Sequence, residues 1–154
     1  MRFLYCHQLK ASSYQYATTT AQLKNYKTLQ YGLEDLFLIK KKIFDCDKDD
    51  IITGLNIASS IKGLGTAGAS GLLAVLFPTK FATVDQFVVK ALSAIANLPE
   101  KSLILSMNSD QLKIKDAVTL IKIMRKKAIE LNTRFNTSFW NPRRIDMILW
   151  VIQR

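Results

Sequence analysis

Gly63-Leu64-Gly65 and Asp85, twenty positions beyond the second glycine, are the residues of this chain best suited to chemistry. Two glycines around one aliphatic residue allow a very tight turn, whose backbone N–H groups can hold an anion. A carboxylate projecting near that turn could act on whatever the turn holds. Nowhere else does the sequence couple a backbone anion cradle to a carboxylate.

The charge balance suggests the kind of anion. Lys and Arg number 22 against 12 acidic residues, a formal net charge of +10. That is the electrostatic footprint of a nucleic-acid or anionic-surface binder. The 154 residues, 49% of them apolar, suffice for a single domain over 1–154 with a real core. Cys6 and Cys46 are too few for a disulfide framework or a four-thiolate metal or iron–sulfur site. His7 stands alone, so a multi-histidine zinc site lacks its ligands. No metal and no small-molecule cofactor is expected. Met1 to Lys10 lacks the long apolar core of a signal peptide, and the apolar stretch Ala67 to Phe77 is too short to cross a bilayer. The expectation is an intracellular protein, of cytoplasm, nucleoid or nucleus, with no membrane partner.

The elements that must hold these residues read as helices. A short one is suggested around Tyr14 to Lys24. From Leu29 to Phe44 the residues Leu33, Leu36, Phe37, Ile39 and Ile43 recur at helical spacing, and Lys40-Lys41-Lys42 suits the dipole at its end. The acidic turn from Asp45 to Asp50 looks like the start of a calcium loop, but Asp50 stands where that loop needs Gly and Asn56 where it needs Glu. Asp49 or Asp50 instead caps a helix to about Ile61, with Leu55, Ala58 and Ile61 on its inner face and Gly54 weakening it. Thr66 to Phe77 forms the next, stopped by Pro78, with Ala67 to Gly71 leaving room for a close neighbour. Val84 to Asn97 returns to helical spacing, and Pro99 opens a linker or short helix. A long helix is expected from Asp110 to Arg134, with Lys115, Lys122 and Lys126 on a solvated face. Asn141-Pro142 starts a last helix holding Trp150 and Ile152. The fold class is all-α, with the core of the motif at about 50–97.

Two arrangements compete for the glycines. Gly63-Leu64-Gly65-Thr66-Ala67-Gly68 matches the dinucleotide fingerprint, and Asp85 falls where an acid would hold a ribose. That fingerprint needs a buried strand before Gly63, and Ser59, Ser60 and Lys62 interrupt any such run. Helix, Gly-aliphatic-Gly, then a helix of small residues is instead a helix-hairpin-helix, whose unpaired N–H groups can grip a phosphate.

Ile61-Lys62-Gly63-Leu64-Gly65, Ala69, Val84-Asp85, Val88 and Lys90 resemble the signature of the helix-hairpin-helix DNA glycosylases, the endonuclease III and 8-oxoguanine glycosylase superfamily. The likeness covers about Asn56 to Ile95. It implies a DNA-repair protein that binds duplex DNA and hydrolyses the N-glycosidic bond of a damaged base. Asp85 would be its catalytic carboxylate, stabilising the sugar cation or activating the nucleophile. Bifunctional members carry a nucleophilic lysine where this chain has Ala67, so the resemblance implies a monofunctional enzyme using water. Candidate DNA contacts are Lys62, Gly63, Leu64, Gly65 and Thr66 at the hairpin, with Lys80, Lys90, Arg143 and Arg144 around it. Phe87, Phe139 and Trp140 are candidates for stacking on an extruded base. The alternative keeps the hairpin without chemistry, as a DNA-binding or protein-interaction module with Asp85 as a helix cap.

Overall fold

A computed structural model describes residues 33–152. The helix expected around Tyr14 to Lys24, with Cys6 and His7, lies outside the described residues. The chain divides after Leu36 into two units, and the candidate site belongs to the second, Phe37–Arg154.

Among the described residues the elements are helices alone: α1 (Leu33–Asp45), α2 (Ile51–Ser59), α3 (Thr66–Leu76), α4 (Gln86–Ala94), α5 (Lys101–Leu105), α6 (Ile114–Arg134) and α7 (Pro142–Ile152). The all-α reading of the periodicity is what they show. With no strand before Gly63, the sheet that a dinucleotide fingerprint requires is missing from these residues. None of their helices is long and apolar enough to cross a membrane.

Local chemistry starts and stops these helices. Asp50 accepts the Thr53 N–H at 3.1 Å and so caps α2. Asn141 accepts the Arg144 N–H at 2.9 Å, and Pro142 supplies the first helical residue of α7. Gly63 sits at φ 91°, a left-handed conformation that a side chain disfavours, and there the chain turns between α2 and α3.

α4 ends at Ala94 and α2 at Ser59, short of the expected Asn97 and Ile61, and two helix starts also differ. α6 begins at Ile114 rather than Asp110, because the Asp116 carboxylate accepts the Lys113 N–H at 2.9 Å and fixes the first turn there. α4 begins at Gln86 rather than Val84, because Asp85 stays extended and its carboxylate accepts the Phe87 and Val88 N–H groups as the N-cap.

α2 packs on α3, α6 lies against α2, α3 and α7, and α4 lies between α5 and α7. Leu55, Leu73, Phe81, Leu120, Ile121 and Met124 form a fully buried centre. Burying a side chain of that size stabilises the fold by about 1.5–3 kcal/mol. Gly54 has a reason invisible in the sequence. A Cβ there would lie 2.9 Å from Phe81 Cζ, so the missing side chain makes room for the ring. Arg125 fastens the same region. Its guanidinium lies 5.6 Å from the Phe81 ring centre and donates to the Lys80 and Lys48 carbonyls at 2.6 and 2.8 Å.

Candidate functional site

Three separate parts of the chain meet around a cleft of about 660 Å³. Gly65, Thr66 and Ala67 come from the start of α3, Asp85 and Gln86 from the start of α4, and Ser109 to Lys113 from the connection into α6. The glycine turn and Asp85 are therefore brought to one place.

The first turn of α3 is open. Gly65 is its N-cap, and no side chain takes up the N–H groups there. Those donors, reinforced by the helix dipole, favour an anion. The two turn glycines serve different needs. Gly63 answers a backbone demand. Gly65 has φ −71°, which any residue adopts, and a Cβ there would meet nothing within 4 Å. Neither conformation nor packing requires glycine at 65; what it leaves is bare backbone facing solvent.

Asp85 is held from three sides. Its Oδ1 accepts the Phe87 and Val88 N–H groups at 2.9 and 3.0 Å, which makes it the N-cap of α4. Both of those bonds use one oxygen, so Oδ2 is not committed to the cap. The buried Ser70 hydroxyl on α3 accepts the Val84 N–H at 3.0 Å and donates to the Ala67 carbonyl at 2.7 Å. From α7, the Asp146 carboxylate accepts the Thr83 N–H at 2.5 Å. Arg143 donates to the Thr83 hydroxyl at 2.9 Å and to Asp146 at 2.6 Å. The segment before Asp85 is thus tied to α3 and α7 at successive residues.

Asp146 is 2% exposed, and burial pushes its carboxyl up to about 6, against the opposite pull of the Thr83 N–H and Arg143. Between its ordinary value of 3.8 and about 6 the folded chain holds this proton more tightly than the unfolded chain. The contribution of Asp146 to stability is therefore largest below that window and falls as pH rises through it. The expected decline is on the order of 2–3 kcal/mol. Asp146→Asn removes the ionisation, so the stability difference between wild type and variant should change with pH only across this window. Denaturant melts at several pH values check this, and a difference constant from pH 4 to 7 refutes it.

The remaining sequence candidates are distributed unevenly. Lys62 is exposed beside the turn, and Leu64 is half-buried against Gly68. Lys90 is exposed on α4, 5.9 Å from the Phe87 ring centre. Lys80 instead pairs with Asp49, at 2.7 Å to both carboxylate oxygens. Arg143 is occupied by Asp146 and Thr83, which ties it to the segment that positions Asp85. The exposed Arg144 stacks on Phe139 at 3.8 Å and donates to the Phe139 carbonyl. None of the three aromatic candidates lines the cleft. Phe87 sits edge-on to Trp150, and Trp140 is held by Asn132 through both backbone groups.

The residues that sequence reasoning missed are Gln86 and Ser109 to Lys113. A signal for the second group existed. Asn108-Ser109-Asp110 is turn chemistry, and the Asn108 carboxamide accepts the Asp110 N–H at 3.1 Å. Nothing local, though, indicates that this turn faces Asp85.

Among the described residues no cluster of His, Cys, Asp and Glu could hold a metal ion. Fold and cleft together define, among the described residues, an all-α protein with an open helix N-terminus and a positioned carboxylate sharing one cleft. Comparison with known protein families, curated proteins and solved structures returns no match.

Proposed function

We propose that this chain binds duplex DNA through a helix-hairpin-helix formed by α2, the Gly63-Leu64-Gly65 turn and α3, and hydrolyses the N-glycosidic bond of a damaged base. One observation carries the reading: Asp85 and the open first turn of α3 line the same cleft. At about 660 Å³ the cleft falls within the common range of ligand pockets, about 300–1,000 Å³. A phosphate held at Gly65 to Ala67 places the neighbouring nucleotide beside Asp85. As the C1′–N bond breaks, its electron pair leaves with the base and positive charge develops on the sugar. The Asp85 carboxylate stabilises that charge. Water then adds to C1′, releases a proton to solvent, and the departing base takes one up.

Ala67 offers no amine for a Schiff base. Lys113 does bring one to the cleft lining, so borohydride trapping on an abasic duplex is an informative second readout; a monofunctional enzyme gives no trapped adduct. The non-catalytic alternative is favoured by a different observation. Two hydrogen bonds to Asp85 Oδ1 make it a complete helix cap without any chemistry. A screen for base release over a panel of damaged duplexes tests the enzymatic reading.

Binding is tested at the glycines. Gly65→Leu should fold, at a cost of up to about 1 kcal/mol for the poorer N-cap. It should weaken duplex binding about 10- to 100-fold, the worth of one charge-assisted hydrogen bond at about 1.5–3 kcal/mol. Gly63→Leu should lose stability as well, by about 1–2 kcal/mol for its left-handed backbone. Fluorescence anisotropy beside thermal melts separates the two. Unchanged binding by Gly65→Leu removes the hairpin from the interface.

A further inference from the structure

The outward face of α6 carries Lys115, Lys122 and Lys126 at helical spacing, and all three are exposed. Among the described residues, Glu130 pairs with Lys127 at 2.6 Å and also attracts Lys126, the buried Asp116 accepts the Lys113 N–H, and Asp110 lines the cleft, so Lys115 and Lys122 form no ion pair with these acids. Lys122 and Lys126 stand four apart, a like-charge arrangement that destabilises a helix by about 0.2–0.5 kcal/mol. A face selected only for solubility has no need of it. The row is also continuous with the site. A second hollow of about 220 Å³, lined by Lys115 and Thr119 among others, shares Gln111 and Lys113 with the cleft that holds Asp85. From cleft to Lys126 the surface thus runs through Lys113, Lys115 and Lys122.

We propose that this face of α6 is the track on which the sugar-phosphate backbone of the duplex flanking the cleft lies. The inference rests on the DNA-binding reading above and adds where the rest of the duplex goes. From Lys115 to Lys126 the helix rises by about 16 Å. That length corresponds to about five phosphates along one strand. The charge is complementary, and the row points away from the cleft along a single line. A duplex is therefore bound well to one side of the damaged position.

The test compares two triple variants with the same change in charge. Lys115→Gln/Lys122→Gln/Lys126→Gln removes the row, and Lys40→Gln/Lys41→Gln/Lys42→Gln removes three lysines from α1. Glutamine keeps the helix propensity of lysine, so the row variant should melt near wild type, while the α1 variant gives up only the dipole interaction of Lys42 in the last turn. Binding to an undamaged duplex is measured across about 50–200 mM salt. The row variant should lower the slope of log affinity against log salt by about 2–3, at about 0.9 per phosphate contact. The α1 variant should leave it nearly unchanged. If the row variant melts early, the single Lys122→Gln should still lower the slope by about 0.9. Equal loss in both triples, or no loss in the row variant, overturns the track. If Gly65→Leu weakens binding while the row variant does not, the hairpin reading stands and this inference fails. A wild-type chain that does not bind duplex at the lowest salt sinks both. Loss of binding to phosphatidylserine vesicles but not to duplex assigns the row to a lipid surface instead.

Discussion

Asp85→Asn is expected to lower base release by on the order of 10²- to 10³-fold while leaving the melting temperature close to wild type. The separation follows from how the side chain is used. Capping of α4 needs an oxygen that accepts the Phe87 and Val88 N–H groups, and an asparagine oxygen does this almost as well as an aspartate oxygen. Stabilising a sugar cation needs the negative charge, which asparagine lacks. Asp85→Ala removes both and should add a stability loss of about 1 kcal/mol. Rates on a responsive damaged duplex, measured beside thermal melts of both variants, decide the question. If Asp85→Asn keeps the activity and Asp85→Ala loses only stability, Asp85 is a cap and the chemistry lies elsewhere.

Phe81→Ala is expected to destabilise the fold by about 3–5 kcal/mol, the usual cost of emptying a buried aromatic site. Phe81 has no exposed surface, fills the space left by Gly54, and lies beneath the Arg125 guanidinium. Its ring is also tilted against that of Phe77 at 6.3 Å. The loss should reach the site as well, because Phe81 begins the segment that runs through Thr83 and Val84 to Asp85. Gly54→Ala gives an independent check. Helix propensity alone predicts a gain approaching 1 kcal/mol. The 2.9 Å approach to Phe81 Cζ predicts a loss instead, since a ring buried on all sides cannot swing away. Urea titration of the two single variants and the double variant reads the coupling. Additive effects would show that Gly54 and Phe81 do not share the space assigned to them.

Much of the helical framework was legible because its signals are local. Asp50 and Asn141 carry cap chemistry in their own side chains, and Leu55, Ala58, Ile121, Met124 and Ala128 recur with the helical period. Distant groups add partners that no local signal announces. Val84 has the spacing of a helical residue, yet it lies before the helix, with its N–H donated to Ser70. Lys80 and Arg143 have the charge of phosphate contacts, yet Asp49 and Asp146 engage them. Phe87 and Trp140 have the chemistry of stacking residues, and Trp150 meets the first ring edge-on and Phe139 the second.

Local signals along the chain suffice for a basic, helical protein with a glycine turn and, twenty residues on, a carboxylate able to cap a helix. Capping, turn formation and amphipathic periodicity act within a few residues, so each is written where it operates. Long-range packing brings Asp85 and the open end of α3 to one cleft and sets Ser109 to Lys113 along its wall. The same packing sets Arg143 and Asp146 to hold the segment before Asp85. Those outcomes depend on contacts some fourteen to sixty-three positions apart, which burial and hydrogen bonding select together and no short stretch of sequence contains.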